Sequence, residues 1–147
     1  MSNITIGISD LKACRAPDVL VTYALGSCVG ICLIDSMAGV GGLSHIMLPD
    51  SSGMTNAANT PMRFADTAIP LLVQKMSVMG ANRGRMKAKI AGGAVMFSTS
   101  SDKFNIGDRN VQAGKAALNS LRIPIIAEDT GLDYGKSRVF GNYGYPQ

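Results

Sequence analysis

The sequence contains no tryptophan, one histidine and three cysteines, and it carries few aromatic or charged side chains. Aromatic residues make up 5% of its 147 residues and charged residues 16%, whereas hydrophobic residues make up 46%. This apolar content excludes a disordered chain, and the length suits one domain with an aliphatic, methionine-containing core. We therefore expect a single domain spanning residues 1–147.

Clustered positive charge is also scarce, although the net charge is +4. The densest basic group consists of Arg83, Arg85, Lys87 and Lys89. No aromatic residues alternate with these side chains to stack on bases, so we expect no nucleic-acid partner.

Signals for export or membrane insertion are missing as well. The first residues lack a basic segment followed by an apolar one, and no apolar run has the length of a membrane-spanning helix. Three cysteines cannot all pair in disulfides, so we expect reduced thiols and a cytoplasmic protein without direct membrane insertion.

Hydrophobic patterns predict strands early in the chain and helices later. An apolar stripe predicts a helix over about residues 61–79, bent at Pro70, and a second helix is expected from about Asp108. Residues 50–60 are expected to form a mobile surface loop. Strands are predicted at residues 4–8, 19–25, 29–34, 42–48, 86–91, 123–127 and 137–140. Because strands and helices do not alternate regularly, we expect an α+β fold of mixed β-sheets in a layered sandwich with flanking helices.

Cys28 and His45 are the residues best suited to catalysis. A thiol becomes a nucleophile when a neighbouring imidazole favours the thiolate, so the two residues fit a cysteine hydrolase. A tight hairpin turn centred between Ser36 and Met37 would place Cys28 directly opposite His45, within reach of each other. A turn centred at Ala38 would slip this pairing by three residues.

Other interpretations of the same residues remain open. A buried cysteine and a lone histidine are common in cores without any catalytic role. A metal site is not expected, because Cys28 and Cys32 would lie roughly 13 Å apart along a strand. We interpret Cys14 and Cys32 as packing thiols. If Cys28 lies at a sharp turn, the backbone N–H groups of Ser27 and Cys28 would form an oxyanion hole.

Several ordered segments resemble the CheD family of chemoreceptor glutamine deamidases. The similarity begins with Leu25-Gly-Ser-Cys-Val-Gly-Ile-Cys-Leu33 and Gly42-Leu-Ser-His-Ile-Met-Leu-Pro49. It continues in residues 63–72, 88–97, 105–110 and 127–131, and covers about residues 5–141. The family pattern near the C-terminus is Gly-Gly, two residues, then Gly-Arg. Here Leu132 and Lys136 replace the second glycine and the arginine, and the chain ends soon after Phe140.

The resemblance implies a function and a catalytic triad. The family's nucleophile falls on Cys28, its base on His45 and its third residue on Thr22, which would hold the imidazole by a hydrogen bond. The implied activity is that of a protein-glutamine glutaminase without cofactor, which converts receptor glutamines to glutamate and also accepts glutamyl methyl esters. The family also binds CheC-type phosphatases, so a non-catalytic regulatory binding module is the alternative. A redox-sensing thiol would need a nearby resolving cysteine, which Cys32 does not provide.

Overall fold

The computed structural model describes residues 2–94 and 105–131, together with the backbone of residues 136–141. Leu132 and the residues after Gly141 lie outside this part of the chain, as does the side chain of Lys136. The strands are β1 (Asn3–Ile6), β2 (Asp10–Arg15), β3 (Val19–Leu25), β4 (Val29–Asp35), β5 (Val40–Ile46), β6 (Lys87–Gly92), β7 (Ile125–Thr130) and β8 (Lys136–Gly141). The helices are α1 (Ala65–Val78) and α2 (Ile106–Ser120).

The strands form two mixed sheets. The smaller sheet has the order β1-β3-β8, and the larger has the order β2-β5-β4-β6-β7. Each sheet contains one parallel pair, β1 with β3 and β6 with β7, while the other neighbours are antiparallel. The expected α+β fold with mixed sheets and flanking helices is confirmed.

Two apolar layers hold these elements together. One face of the larger sheet packs against α1 and α2, where the residues after Phe64 supply a buried helical stripe. The other face packs against the smaller sheet through Ile6, Leu20 and Leu43, and the buried thiols of Cys14 and Cys32 belong to this layer. The prediction that these two cysteines are packing residues is confirmed.

The local predictions differ from the structure at β2 and at the start of α1. The sequence pattern missed β2, an edge strand that buries Leu11 and Cys14 while charged residues face outward. The first helix begins at Ala65, because Pro61–Arg63 forms a separate 3-10 turn. Pro70 lies inside α1 and does not end it, and the bend expected at Pro70 stays a prediction. Neither helix in the described part of the chain is long and apolar enough to cross a membrane.

The β4–β5 hairpin has a register that differs from the predicted one. Gly30, rather than Cys28, lies opposite His45, so the pairing is shifted by two residues. The turn is fixed by Asp35, whose carboxylate accepts a hydrogen bond from the Ala38 N–H at 3.2 Å and pairs with Arg85 at 3.0 Å. Gly39 completes the turn with a φ of 67°. The predicted direct pairing of Cys28 with His45 is therefore wrong.

Candidate active site

His45 lies near the end of β5, between β2 and β4 in the larger sheet. Its side chain is 1% exposed. Because side chains alternate along a strand, His45 and Leu43 point to the same face, which packs on the smaller sheet. Directly opposite, Gly30 has no side chain, and a Cβ there would meet Leu25 at 3.2 Å. The missing side chain at Gly30 leaves room for Leu25.

Thr22 fixes the orientation of the imidazole from the smaller sheet. Its hydroxyl oxygen lies 2.7 Å from Nδ1 of His45 and 3.0 Å from the carbonyl oxygen of Ile6. A carbonyl can only accept, so the single hydroxyl proton of Thr22 is donated to Ile6. The Thr22 oxygen must then accept a hydrogen bond from the Nδ1–H group of His45. This arrangement selects the tautomer in which Nε2 carries the lone pair.

The other ring nitrogen, Nε2, is available for chemistry. It is buried and has no hydrogen-bond partner among the residues that the structure describes. Burial also lowers the pKa of His45 below its ordinary value of 6.5. At neutral pH the imidazole is therefore neutral, with an unpaired acceptor at Nε2, which is the form required of a general base.

Cys28 lies at the start of the strand next to His45. It precedes β4 by one residue, is partly exposed, and packs against Leu25 and Ala91. Cys28 lies two residues before Gly30, the partner of His45, and just outside the last ladder pair, so a strand continued to Cys28 would make it a diagonal neighbour of His45. Diagonal positions have Cα atoms about 7–8 Å apart, still within reach of long or aromatic side chains. The shift thus excludes the predicted direct pair and leaves Cys28 two residues from the position opposite His45.

Burial also determines the charge state of Cys28. It raises the pKa of the thiol above its ordinary value of 9.0. Since burial lowers the pKa of His45 at the same time, both residues are neutral at rest. The thiolate is therefore not formed in advance.

The turn that carries Cys28 is fixed by three carbonyl groups. The carbonyl of Gly26 accepts a hydrogen bond from the Ala94 N–H at 2.8 Å, and the carbonyl of Cys28 accepts one from the Gly93 N–H at 2.9 Å. The carbonyl of Ser27 accepts from the Asn110 side chain at 2.9 Å. In the described part of the chain, the N–H groups of Ser27 and Cys28 donate to no backbone carbonyl.

Gly92 allows β6 to approach this turn. It has a φ of 96°, which only glycine adopts without strain, and a Cβ at this position would collide with the carbonyl oxygen of Cys28. The close approach brings the Gly93 N–H to Cys28. The end of β6 therefore forms part of the support for the turn.

The described residues contain no group of three or more potential ligands placed to hold a metal ion. Cys32 is buried between the sheets, where desolvation raises the pKa of its thiol to about 12. All three cysteines are free thiols. The structure therefore places Thr22 in contact with His45 and places Cys28 at the start of the neighbouring strand, and it adds Asn110, to which the sequence patterns assigned no role.

The fold itself occurs in solved structures from other bacteria. The chain aligns with a crystal structure of a Neisseria meningitidis protein of the DUF152 family with a TM-score of 0.51 and 7% identity, over 88% of this chain and 64% of that one. It aligns with the Bacillus licheniformis hypothetical protein YfiH with a TM-score of 0.54 and 14% identity, over 89% and 60%. The chain thus spans less than two thirds of both proteins. The likeness defines a class of α+β sandwich.

Sequence comparison identifies the family within that class. The family model for CheD chemotactic sensory transduction matches residues 47–142. Proteins named probable chemoreceptor glutamine deamidase CheD are 51% identical in Lachnoclostridium phytofermentans and 50% identical in Clostridium novyi, each over 93% of this chain and 86% and 85% of those proteins. The Clostridium botulinum protein of that name is 48% identical over 95% of this chain and 87% of its own length. This chain belongs to the CheD family.

Proposed function

We propose that this protein hydrolyses the side-chain amides of selected chemoreceptor glutamines, releasing glutamate side chains and ammonia. Its relatives carry the name of this activity. The observation that carries the proposal is the buried Thr22–His45 hydrogen bond of 2.7 Å, which leaves Nε2 without a partner among the residues described, next to the strand that begins after Cys28. Most buried polar side-chain atoms are hydrogen-bonded, so a buried nitrogen without a partner favours a chemical role over a packing role.

The proposed first half-reaction starts from the neutral pair. As the Cys28 sulfur bonds to the amide carbon, its proton moves to Nε2 of His45. Thr22 keeps its hydrogen bond to Nδ1 and so stabilises the imidazolium through a charge-assisted contact. The imidazolium then protonates the amide nitrogen, the carbon–nitrogen bond breaks, and ammonia leaves a thioester on Cys28.

The second half-reaction reverses the proton transfer. Water gives a proton to Nε2 of His45 while its oxygen bonds to the thioester carbon. The carbon–sulfur bond then breaks, the proton returns to the Cys28 sulfur, and a glutamate side chain is released. A glutamyl methyl ester would follow the same steps with methanol as the leaving group.

The backbone of the nucleophile turn supports an oxyanion hole at Ser27 and Cys28. Within a trans peptide the N–H points opposite to the carbonyl. The carbonyls of Gly26 and Ser27 are bound by Ala94 and Asn110, so the N–H groups of Ser27 and Cys28 point away from those partners. Since these two N–H groups donate to no backbone carbonyl among the described residues, they are suitable donors to a tetrahedral oxyanion at the nucleophile.

Two further elements of the proposal extend the family resemblance. A CheC-type phosphatase is proposed as a protein partner, and the cytoplasm as the location of the reaction. Deamidation measured with and without such a phosphatase would separate catalysis from partner regulation. If receptor glutamines are unchanged under both conditions while phosphatase binding persists, the protein is a binding module.

Mass spectrometry of a receptor fragment tests the proposed activity. Each converted glutamine gains the mass difference between an amide NH2 and a hydroxyl group. We expect conversion by the wild-type protein and by Cys32→Ala, a matched variant that removes a buried thiol from the packing layer. We expect none by Cys28→Ala. Conversion by Cys28→Ala at the rate of Cys32→Ala would contradict the mechanism.

A further inference from the structure

Asn110 connects two segments of the active site that are distant in sequence. It lies on α2 and is 0% exposed. Its side-chain nitrogen donates to the carbonyl of Ser27 at 2.9 Å and to the carbonyl of Met47 at 3.0 Å. The NH2 group has two protons, and both are used. If the amide were rotated by half a turn, its oxygen would face two carbonyl oxygens, so the two acceptors determine its orientation.

The position of this bridge matches the end of the β4–β5 ladder. The last pair of the ladder is Val29 with Ile46, one residue after Cys28 and one residue before Met47. Beyond that point Met47 turns away, and its N–H donates to Arg63 at 3.0 Å. The segment before β4 and the segment after β5 would separate here without another connection. Asn110 supplies it and so takes the place of the missing ladder hydrogen bonds.

The hydrogen bond to Ser27 also determines where the next N–H points. The carbonyl of Ser27 and the N–H of Cys28 belong to one planar peptide and point in opposite directions. We propose that Asn110 is a positioning residue that holds this peptide so that the Cys28 N–H faces the developing oxyanion. The inference rests on the proposed role of Cys28 as nucleophile.

The unpaired oxygen of the same side chain supports a dedicated role. Oδ1 of Asn110 is buried and has no hydrogen-bond partner among the described residues. An unsatisfied buried carbonyl oxygen destabilises the fold. An apolar residue would avoid this cost, and the neighbouring buried positions of α2, Val111 and Leu118, are apolar. The two hydrogen bonds that its NH2 group donates, to Ser27 and Met47, therefore account for an asparagine at this position.

Asn110→Ala tests this role through two reactions of the same thiol. Amide hydrolysis passes through an oxyanion, whereas alkylation of Cys28 by iodoacetamide is a substitution at saturated carbon and forms none. We expect kcat for deamidation to fall about 100-fold with KM within about threefold, as for loss of one oxyanion donor. The alkylation rate of Cys28 should change by less than about threefold, because this reaction does not use the oxyanion hole.

The matched control is Asn105→Ala on the same helix. The side chain of Asn105 caps α2 by accepting from the Asp108 N–H at 3.3 Å, so this variant weakens the helix without touching the turn. We expect it to keep wild-type kcat after correction for folded fraction. A folded Asn110→Ala protein with wild-type kcat, or with parallel losses in deamidation and alkylation, overturns the inference. Cys28→Ala, measured in the same assay, separates this inference from the proposed function. If Cys28→Ala is inactive, only the role of Asn110 is overturned. If Cys28→Ala is active, the proposed function is wrong as well.

A second measurement uses the wild-type protein, in case Asn110→Ala does not fold. A receptor peptide with an aldehyde in place of the glutamine amide would add the Cys28 sulfur to its carbonyl carbon, with the thiol proton moving to the oxygen. In a crystal structure of this adduct we expect that oxygen about 2.7–3.1 Å from the Cys28 nitrogen, with Asn110 still bound to Ser27. An oxygen directed away from the Cys28 N–H overturns the inference.

Discussion

Replacing Thr22 by valine removes one hydroxyl group while nearly keeping the shape of the side chain. In the wild-type protein this hydroxyl lies 2.7 Å from Nδ1 of His45 and 3.0 Å from the Ile6 carbonyl, and the residue is 0% exposed. The substitution leaves a buried N–H and a buried carbonyl without their partner. We expect the free energy of unfolding to fall by about 1–3 kcal/mol, the usual cost of such groups.

The effect on catalysis follows from the imidazolium that forms during the reaction. A hydrogen bond to a charged group contributes about 1.5–3 kcal/mol. Since about 1.36 kcal/mol corresponds to a factor of ten in rate, Thr22→Val should lower kcat about 10- to 100-fold. KM should change little, because the buried side chain of Thr22 does not face solvent or substrate.

The assay is deamidation of a receptor fragment at a temperature where every variant is folded. Thr22→Ser keeps the hydroxyl and should keep most of kcat, while His45→Gln, which removes the base, should lose more activity than Thr22→Val. Wild-type kcat in folded Thr22→Val would refute the reasoning. So would an equal loss in Thr22→Ser, because the missing methyl group would then account for the effect.

The pH dependence, the support of the nucleophile turn and the hairpin turn give three further predictions. Burial lowers the pKa of His45, so the folded state binds this proton less readily than the unfolded state, and stability should decrease as the pH falls below the ordinary value of 6.5. Urea unfolding of wild-type and His45→Gln proteins at several pH values checks this, and equal pH dependence in both would contradict it. Gly92→Ala should abolish activity, because its Cβ would displace the Cys28 carbonyl. The control is Gly53→Ala, which also has a positive φ but lies in open space, and it should only lower the free energy of unfolding by about 1 kcal/mol. Equal deamidation by both folded variants would count against this prediction. Arg85→Ala should lower the free energy of unfolding by about 1.5–3 kcal/mol, because it removes charge-assisted hydrogen bonds to the buried carboxylate of Asp35. Arg83→Ala, at an exposed residue, is the control in thermal unfolding. Equal stability of the two variants would show that the Asp35 pair does not hold the turn.

The sequence pattern was sufficient for most elements and for the fold class. Alternating and continuous apolar runs correspond to β3, β4 and β5, and the stripe after Phe64 corresponds to α1. These signals depend on neighbours in the sequence, so they can be read locally. The edge strand β2 was missed because it buries only two residues.

The register of the β4–β5 hairpin could not be predicted in the same way. It depends on how Asp35 is held, and its partner Arg85 lies 50 residues away along the chain. Burial would raise the pKa of Asp35, but hydrogen bonds from Arg85, Asn82 and Ala38 outweigh it and lower the pKa. Such a long-range interaction selects among turns that are all compatible with the local sequence.

The site residues show the same limit. Cys28 and His45 stand out by residue type, but Thr22 lies on another sheet and was assigned only through the family resemblance. Asn110 left two signals in the sequence, since it is a polar residue on the apolar face of a predicted helix and it ends the segment 105–110 of the family resemblance. Its contacts with Ser27 and Met47 span 83 and 63 residues, and no local pattern reveals them.

The central claim, that His45 serves as the base for Cys28, is tested most directly by the pH dependence of Cys28 alkylation. The peptide containing Cys28 would be followed by mass spectrometry after brief treatment with iodoacetamide, in wild-type and His45→Gln proteins. The account predicts that the wild-type thiol reacts at lower pH, because Nε2 accepts its proton, and that His45→Gln shifts the profile to higher pH. Identical profiles in two folded proteins would contradict the claim.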